Sequence, residues 1–354
     1  MAVWSKFLFK RSPKKCLAGL GARFWRPGDT EAVNRLYNDP AVRPGAGARG
    51  YLPRTAAQWQ WEFADQVDGP PPYVVATHRG RIIGAQAYIP IELIADGRTL
   101  LSGKDEDTLV HPDYRGLGVL DEMYRLLLAR AEQDGVAVLW GFTSTAVRPL
   151  LRNGYRSIGA FDALRANLTA RPGTAVRRLG ALTIAEVTNP DEQCDAFSLE
   201  FGRQVGGVML HLSASFLRWR LFENPYRRHT LYAAYHNQHL VGLAAFKLDD
   251  DHQTGYVSEL TALPTADHGT EDVLDALLHA GMGLFRACGY RWAETRPAGP
   301  HPFNRTLRSL LARHGFSDIS NRQAPEFLVR PAPRHEIRLL DMAHWRINEL
   351  MREY

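Results

Sequence analysis

Cysteine is scarce. Cys16, Cys194 and Cys288 are the only three in 354 residues, far apart and in no CxxC or mixed Cys/His grouping. That argues against a disulfide framework and a structural zinc, and it points to a reducing, cytoplasmic compartment. No apolar run approaches the roughly 20 residues a membrane-spanning helix needs, and no apolar stretch with a cleavage site marks a secretory leader. Charge of one sign is also missing: 43 Lys and Arg against 38 Asp and Glu leave +5 over the whole chain, too diffuse to imply a nucleic-acid partner. No HExxH, GxGxxG after an opening strand, or GK[ST] occurs, so zincin, dinucleotide and Walker readings lapse.

What is present is ordinary for a globular chain, with 45% hydrophobic and 23% charged residues. The one local charge asymmetry is the start, where Lys6, Lys10, Arg11, Lys14 and Lys15 lie among Trp4, Phe7, Leu8 and Phe9. This reads as a frayed basic terminus, with peripheral membrane contact as the functional alternative.

The chain repeats itself. PYVVATHRGRIIGAQAYIPIEL reads as two strands around a turn at Arg79 and Gly80, and TLYAAYHNQHLVGLAAFKL repeats it with Asn237 and Gln238 in the turn. Ala76 then falls over Ala234, Gly84 over Gly242 and Trp61 over Trp219, and further on Asp107 falls opposite Glu259. Each half reads as helix, hairpin, strand, helix, strand, helix and final strand, a mixed sheet covered by helices. Helices are expected at 29–37, 56–64, 271–287 and 303–313. The boundaries expected are 20–165, 180–330 and a tail or packing helix over 331–354.

The strongest local signal is VHPDYRGLGVLDEMY, in which a strand ends, turns and opens a helix near Gly118. Gly116 and Gly118 remove side chains where backbone amides must approach a ligand, and the helix dipole behind them favours a pyrophosphate. Arg115 adds a cation. On the strand before it, Asp105, Glu106 and Asp107 follow one another, and strand alternation places Asp105 and Asp107 on one face. His78 reads as a hairpin-tip residue and His111 as a turn-packing residue, no ligand spacing places these or His211 on a metal, and Trp59, Trp61 and Trp219 read as sharing a packing role.

With these residues in view, the sequence resembles the GCN5-related N-acetyltransferases, whose loop reads Arg/Gln-x-x-Gly-x-Gly/Ala. Arg115, Gly118 and the HPDYRG lead-in match; Leu120 stands where a small residue is expected. More narrowly it resembles bacterial members with a degenerate second copy, and the resemblance covers about residues 20 to 330. It implies an α/β chain of tandem acyl-CoA N-acyltransferase folds, each a mixed central sheet flanked by helices. It also implies acetyl-CoA or another acyl-CoA as co-substrate, its pyrophosphate on the backbone amides of Gly116, Leu117, Gly118, Val119 and Leu120 with the Arg115 cation beside them. The pantetheine arm would lie against the strand of Leu109 and Val110, and no metal is implied. The acceptor implied is a small-molecule primary amine. Asp107 would serve as base or ammonium-binding group, with Asp105 beside it.

Many relatives protonate the leaving thiolate with a tyrosine after the next strand. Here none precedes Leu150, and Tyr155 lies in the later Gly-Tyr turn. The second half lacks the glycine nest, so one coenzyme site per chain is expected, with Glu259 and Arg218 as possible acceptor contacts. A coenzyme-binding protein without turnover and an aminoacyl transferase acting on cell-wall precursors are the alternatives. The oligomeric state is left open.

Overall fold

A computed structural model describes residues 18–43, 53–160, 163–169, 181–319, 324–332 and 336–352. Its first part runs β1 (Leu20–Phe24), α1 (Thr30–Tyr37), α2 (Ala56–Trp59), β2 (Tyr73–His78), β3 (Arg81–Ala95), β4 (Arg98–Val110), α3 (Val119–Gln133), β5 (Val138–Thr143), α4 (Val147–Arg152), β6 (Arg156–Ala160) and β7 (Ala163–Asn167). It continues with β8 (Leu182–Val187), α5 (Glu192–Val205), β9 (Val208–Leu210), α6 (Ala214–Leu217), β10 (Arg228–His236), β11 (His239–Asp249), β12 (Thr254–Ala262), α7 (Thr270–Ala287), β13 (Trp292–Thr295), α8 (Pro302–Arg313), β14 (Ser317–Ile319), β15 (Glu326–Pro331), α9 (Glu336–Leu339) and α10 (Glu349–Arg352). The four expected helices are all found. α2 is prolonged by a π-turn over Gln60–Ala64, and α6 by another over Arg218–Phe222.

The repeat is visible in backbone geometry. Arg79 and Gly80 have φ of 49° and 80°, and Asn237 and Gln238 have 51° and 69°. Positive φ at both turn residues matches the right-handed twist of the flanking strands, as tight hairpins require. Ala76 pairs with Gly84 and Ala234 with Gly242, and each register shifts immediately after that alanine.

Two sheets result. One has eight strands in the order β1-β2-β3-β4-β5-β15-β6 with β9 on β3; the other has seven, β14-β7-β13-β12-β11-β10-β8. The final strands are exchanged. β15, from the end of the second copy, pairs antiparallel with β5 from Glu326↔Thr143 to Pro331↔Val138, and β7, from the end of the first, lies between β13 and β14. The compact units are therefore discontinuous: Met1–Ile91, Leu101–Ile158 and Glu326–Leu340 form the first, and Glu92–Leu100, Gly159–Pro325 and Asp341–Tyr354 the second. They differ from contiguous blocks over 20–165 and 180–330 because each strand goes where its apolar face is covered: Phe327, Leu328 and Val329 are fully buried. The tail is not one helix. Trp345 and Ile347 make isolated strand bridges to Val208 and Ala298, and both are buried.

In the first unit, α3 lays Met123, Tyr124, Leu127 and Ala131 on Val74, Ala76, Ile83 and Leu139 of the sheet and on Leu328 of β15. The opposite face carries the α2 segment, where Trp59 stacks on Trp25 at 4.7 Å and meets Tyr73 edge-on at 5.2 Å. The expectation of a packing role for Trp59, Trp61 and Trp219 agrees with their burial.

Candidate active site

The site is built on β4. Its parallel ladder with β5 covers only Ser102↔Val138, Gly103↔Leu139 and Lys104↔Trp140, while β4 runs on to Val110 and β5 to Thr143. The two strands part at Asp105. There β5 carries Gly141, where a side-chain Cβ would sit 3.2 Å from the Asp105 Cβ.

Asp107 has φ of 53°, an uncommon conformation for a residue with a side chain. The break in the pleat separates the two aspartates, so the expectation that they share a face is corrected. Asp105 points to the α3 face, where Tyr124 donates to its Oδ2 at 3.2 Å. Asp107 joins the α2 face.

On that face Asp107 is gripped. Arg54 Nη1 donates to its Oδ1 at 2.9 Å, Nη2 lies 2.8 Å from its Oδ2, and the Tyr73 hydroxyl donates to the same Oδ2. Arg54 Nε donates to Asn34 Oδ1 at 2.9 Å, and its guanidinium lies 3.7 Å over the Tyr37 ring. Glu62, from the π-turn, is 3.7 Å from Arg54, and Lys104 donates to Glu106 beside it. Three carboxyls thus meet two cations out of water. Burial, against the pull of Arg54, pushes the Glu62 carboxyl up to about 8, so it keeps its proton at neutral pH. Both oxygens of Asp107 are thus engaged by Arg54.

Asp105 sits among different groups. Burial pushes its carboxyl up to about 7, with the neighbouring Tyr155 and Tyr124 hydroxyls and the Arg330 charge pulling the other way. Tyr155 faces the carboxyl but stands outside hydrogen-bonding geometry, and Asp105 Oδ1 has no hydrogen-bond partner. Arg330 reaches in from β15 and is fixed by donating from Nε to the Asn153 carbonyl at 2.9 Å.

The anion end lies beyond β4. Gly116 and Gly118 have φ of 79° and 83°, and a Cβ at Gly116 would meet nothing within 4 Å. Gly118 caps α3 without a side-chain bond, and the first intrahelical acceptor receives from Glu122. The amides of Val119, Leu120 and Asp121 therefore have no acceptor within the helix. Val119 is buried, and Leu117 and Leu120 pack against the core, so these positions offer a ligand their backbone. Arg115 clasps two carbonyls, Nε to Val110 at 3.0 Å and Nη2 to Val42 at 3.3 Å, fixing the strand end to the loop. Leu109 is buried, with its carbonyl 3.1 Å from where a Cβ at Gly84 would lie. The open glycines, the uncapped helix start and the parted strands together fit a pyrophosphate with an extended amide-bearing arm.

Sequence reasoning missed Arg54, Glu62, Tyr124 and Arg330. Glu62 left one trace, since the 158-residue offset sets it against Arg220, a charge in the same apolar π-turn. His78 Nδ1 lies 3.1 Å from the Tyr114 hydroxyl, and His111 accepts from the Asp113 amide, both turn roles. Among the described residues no group of three His, Cys, Asp or Glu side chains is placed to hold a metal ion, and no helix is long and apolar enough to cross a membrane. The basic segment and Cys16 lie outside the described residues.

The second unit repeats the strand gap and closes it. β12 and β13 pair only from Thr254↔Trp292 to Tyr256↔Glu294. Beyond them Arg346 donates to the Leu260 carbonyl at 2.9 Å and to Glu259, Asn348 donates to Glu259 at 2.6 Å, and the Ala298 amide donates to the Ile347 carbonyl. Arg218 donates to the Pro190 carbonyl. Glu259 and Arg218 are thus engaged within their own unit.

Residues 48–159 match the family described as acetyltransferase (GNAT) domain. Solved structures extend the likeness to both units of a tandem GNAT fold. A GCN5-related N-acetyltransferase from Anabaena variabilis superposes with a TM-score of 0.64 at 10% identity, over 89% of this chain and 73% of that one. Another from Kribbella flavida gives 0.55 at 17% identity, over 88% and 71%. A tandem GNAT protein from the clavulanic acid biosynthesis pathway gives 0.56 at 16% identity, over 88% and 98%. No curated protein matches the sequence significantly. The matched GNAT segment contains β4, the loop and α3, but neither Asn34 nor Arg330.

Proposed function

We propose that the protein is an acyl-CoA-dependent N-acyltransferase that transfers an acetyl group to a primary amine of a small molecule. The observation that carries this reading is the parting of β4 from β5 at Asp105, in line with the uncapped, glycine-lined start of α3. Acyl-CoA bound there supplies an activated acyl carbon. The chain's own residues do the rest. The amides of 116–120 receive the pyrophosphate, as helix starts do for anions. The unpaired edge of β4 from Asp105 to Val110 offers backbone groups to an extended arm, the principle by which a strand is added to a sheet edge. On the α2 face, the Asp107 carboxylate and the protonated Glu62 present acceptor oxygens that orient the amine.

Calorimetric titration with acetyl-CoA tests the reading. The wild type should bind in the micromolar to millimolar range common for enzyme substrates, and Gly118→Asp should weaken binding at least tenfold with an unchanged circular dichroism spectrum. CoA release over a panel of primary amines then reads turnover. Absence of binding to acetyl-CoA and to longer acyl-CoAs overturns the proposal, and binding without turnover on any amine reduces it to a coenzyme-binding protein.

A further inference from the structure

We propose that Asp105 is the acid that gives a proton to the departing sulfur, and that Arg330, brought in by the last strand β15, is the positioning residue that sets when Asp105 releases it. The inference rests on the acyltransferase reading above and adds to it the proton source that the sequence does not provide.

Three observations converge on Asp105. First, it is the first β4 residue beyond the ladder with β5, so it marks the closed end of the gap. From the α3 loop to that point β4 offers five residues, about 17 Å at ~3.3 Å each, a span suited to the extended arm of coenzyme A. The reacting end therefore stops at Asp105. Second, the bulge at Asp107 puts the two aspartates on opposite faces. The amine enters on the Asp107 and Glu62 face, and the sulfur leaves toward the other. Third, Asp105 Oδ1 is buried with no hydrogen-bond partner, whereas Oδ2 is held by Tyr124. One oxygen is anchored and the other is available.

The groups facing this carboxyl can be named element by element. Tyr124 comes from α3 with Thr108 of β4 beside its hydroxyl, Tyr155 precedes β6, and Arg330 comes from β15. β5 presents only Gly141, and the carboxyls of Glu62, Glu106 and Asp107 belong to the far side. Burial keeps both tyrosine hydroxyls protonated well above their ordinary range, so Tyr124 holds the carboxyl and Tyr155 faces it without either competing as an acid. The buried carboxyl, with its proton held up to about 7, is the acid matched to neutral pH.

The step balances. The neutral amine nitrogen forms a bond to the acyl carbon while the C–S bond breaks, and the bonding pair stays on sulfur. Asp105 gives its proton to that sulfur, completing the thiol. The proton lost by nitrogen leaves to water on the α2 face, and Asp105 is reprotonated from solvent after product release.

The test has two arms. In the ligand-free protein, pH-difference infrared spectroscopy reads the protonated-carboxyl band that Asp105→Asn removes. It should titrate near 7, shift to higher pH in Arg330→Met because a cation favouring the ionised form is gone, and return toward the wild-type value in Arg330→Lys. In the enzyme supplied with acetyl-CoA and an accepted amine, kcat should fall as pH rises through the same midpoint. Arg330→Met should move that limb upward, and Asp105→Asn should lower kcat by about 10²–10⁴ and remove the limb. Should Arg330→Met fail to fold, Tyr124→Phe loses a stabilising hydrogen bond and must shift the band the same way. An Asp105 band that titrates near 4, or a kcat limb that stays fixed while the band moves, overturns the proposal. Failure to bind any acyl-CoA overturns the functional reading as well, and the infrared arm distinguishes the two.

Discussion

At the scale of single residues, the first unit holds two carboxyls that keep protons longer than ordinary acids, Asp105 to about 7 and Glu62 to about 8. Their folded-state values lie above those of the unfolded chain, so the native state binds these protons more tightly. The stabilisation is complete below about pH 4 and is lost as pH rises through 7 to 8. The melting temperature of the wild type should therefore decline between pH 5 and pH 8.5. Glu62→Gln should flatten the upper part of that decline and Asp105→Asn the lower part; parallel curves for all three proteins would show that neither carboxyl carries a raised value. The run Asp105–Glu106–Asp107 marked the right strand from sequence alone. Alternation then failed at Asp107, since a positive φ on an aspartate leaves no trace in residue pattern. Arg54 and Glu62 were invisible for another reason: they matter through burial around a partner 53 or 45 positions away, which spacing along the chain does not encode.

At the scale of elements, the hairpins and the α3 loop were legible because glycine and turn chemistry fix them locally. Gly116 and Gly118 do adopt the backbone that their place in the motif demands. The π-turns were not, being single widened turns within what reads as ordinary helix. Nor was the three-pair length of the β4–β5 ladder, since the extent of pairing between two strands joined through a helix is not encoded in either strand's own pattern. The second unit shows what such a gap does without a ligand: the tail segment fills it, with Arg346 on Glu259 and on a strand carbonyl. Both side chains are buried, and removing one partner of a buried pair costs about 3–5 kcal/mol. Arg346→Met should lower denaturant stability by that order and speed amide exchange along β12. Unchanged exchange there would mean that the tail does not hold the gap shut.

At the scale of the whole molecule, the duplication was readable as a repeat, but its consequence was not. A repeat predicts two copies of a fold; it does not say that the copies trade final strands, because pairing between segments far apart in the chain is not written in the residue pattern of either one. The fragment 18–160 lacks β15 and leaves Trp140 and Phe142 without the Phe327 ring they pack on. It should show little near-ultraviolet dichroism alone and recover it when a 324–340 peptide is added. Native-like dichroism without the peptide would contradict this. Synthesis on the ribosome meets the same constraint. Domains ordinarily fold N-terminal first as the chain emerges, yet here the sheet that carries Asp105 waits for residue 331. A product terminated before β15 is left with an open edge at β5 rather than with a closed sheet.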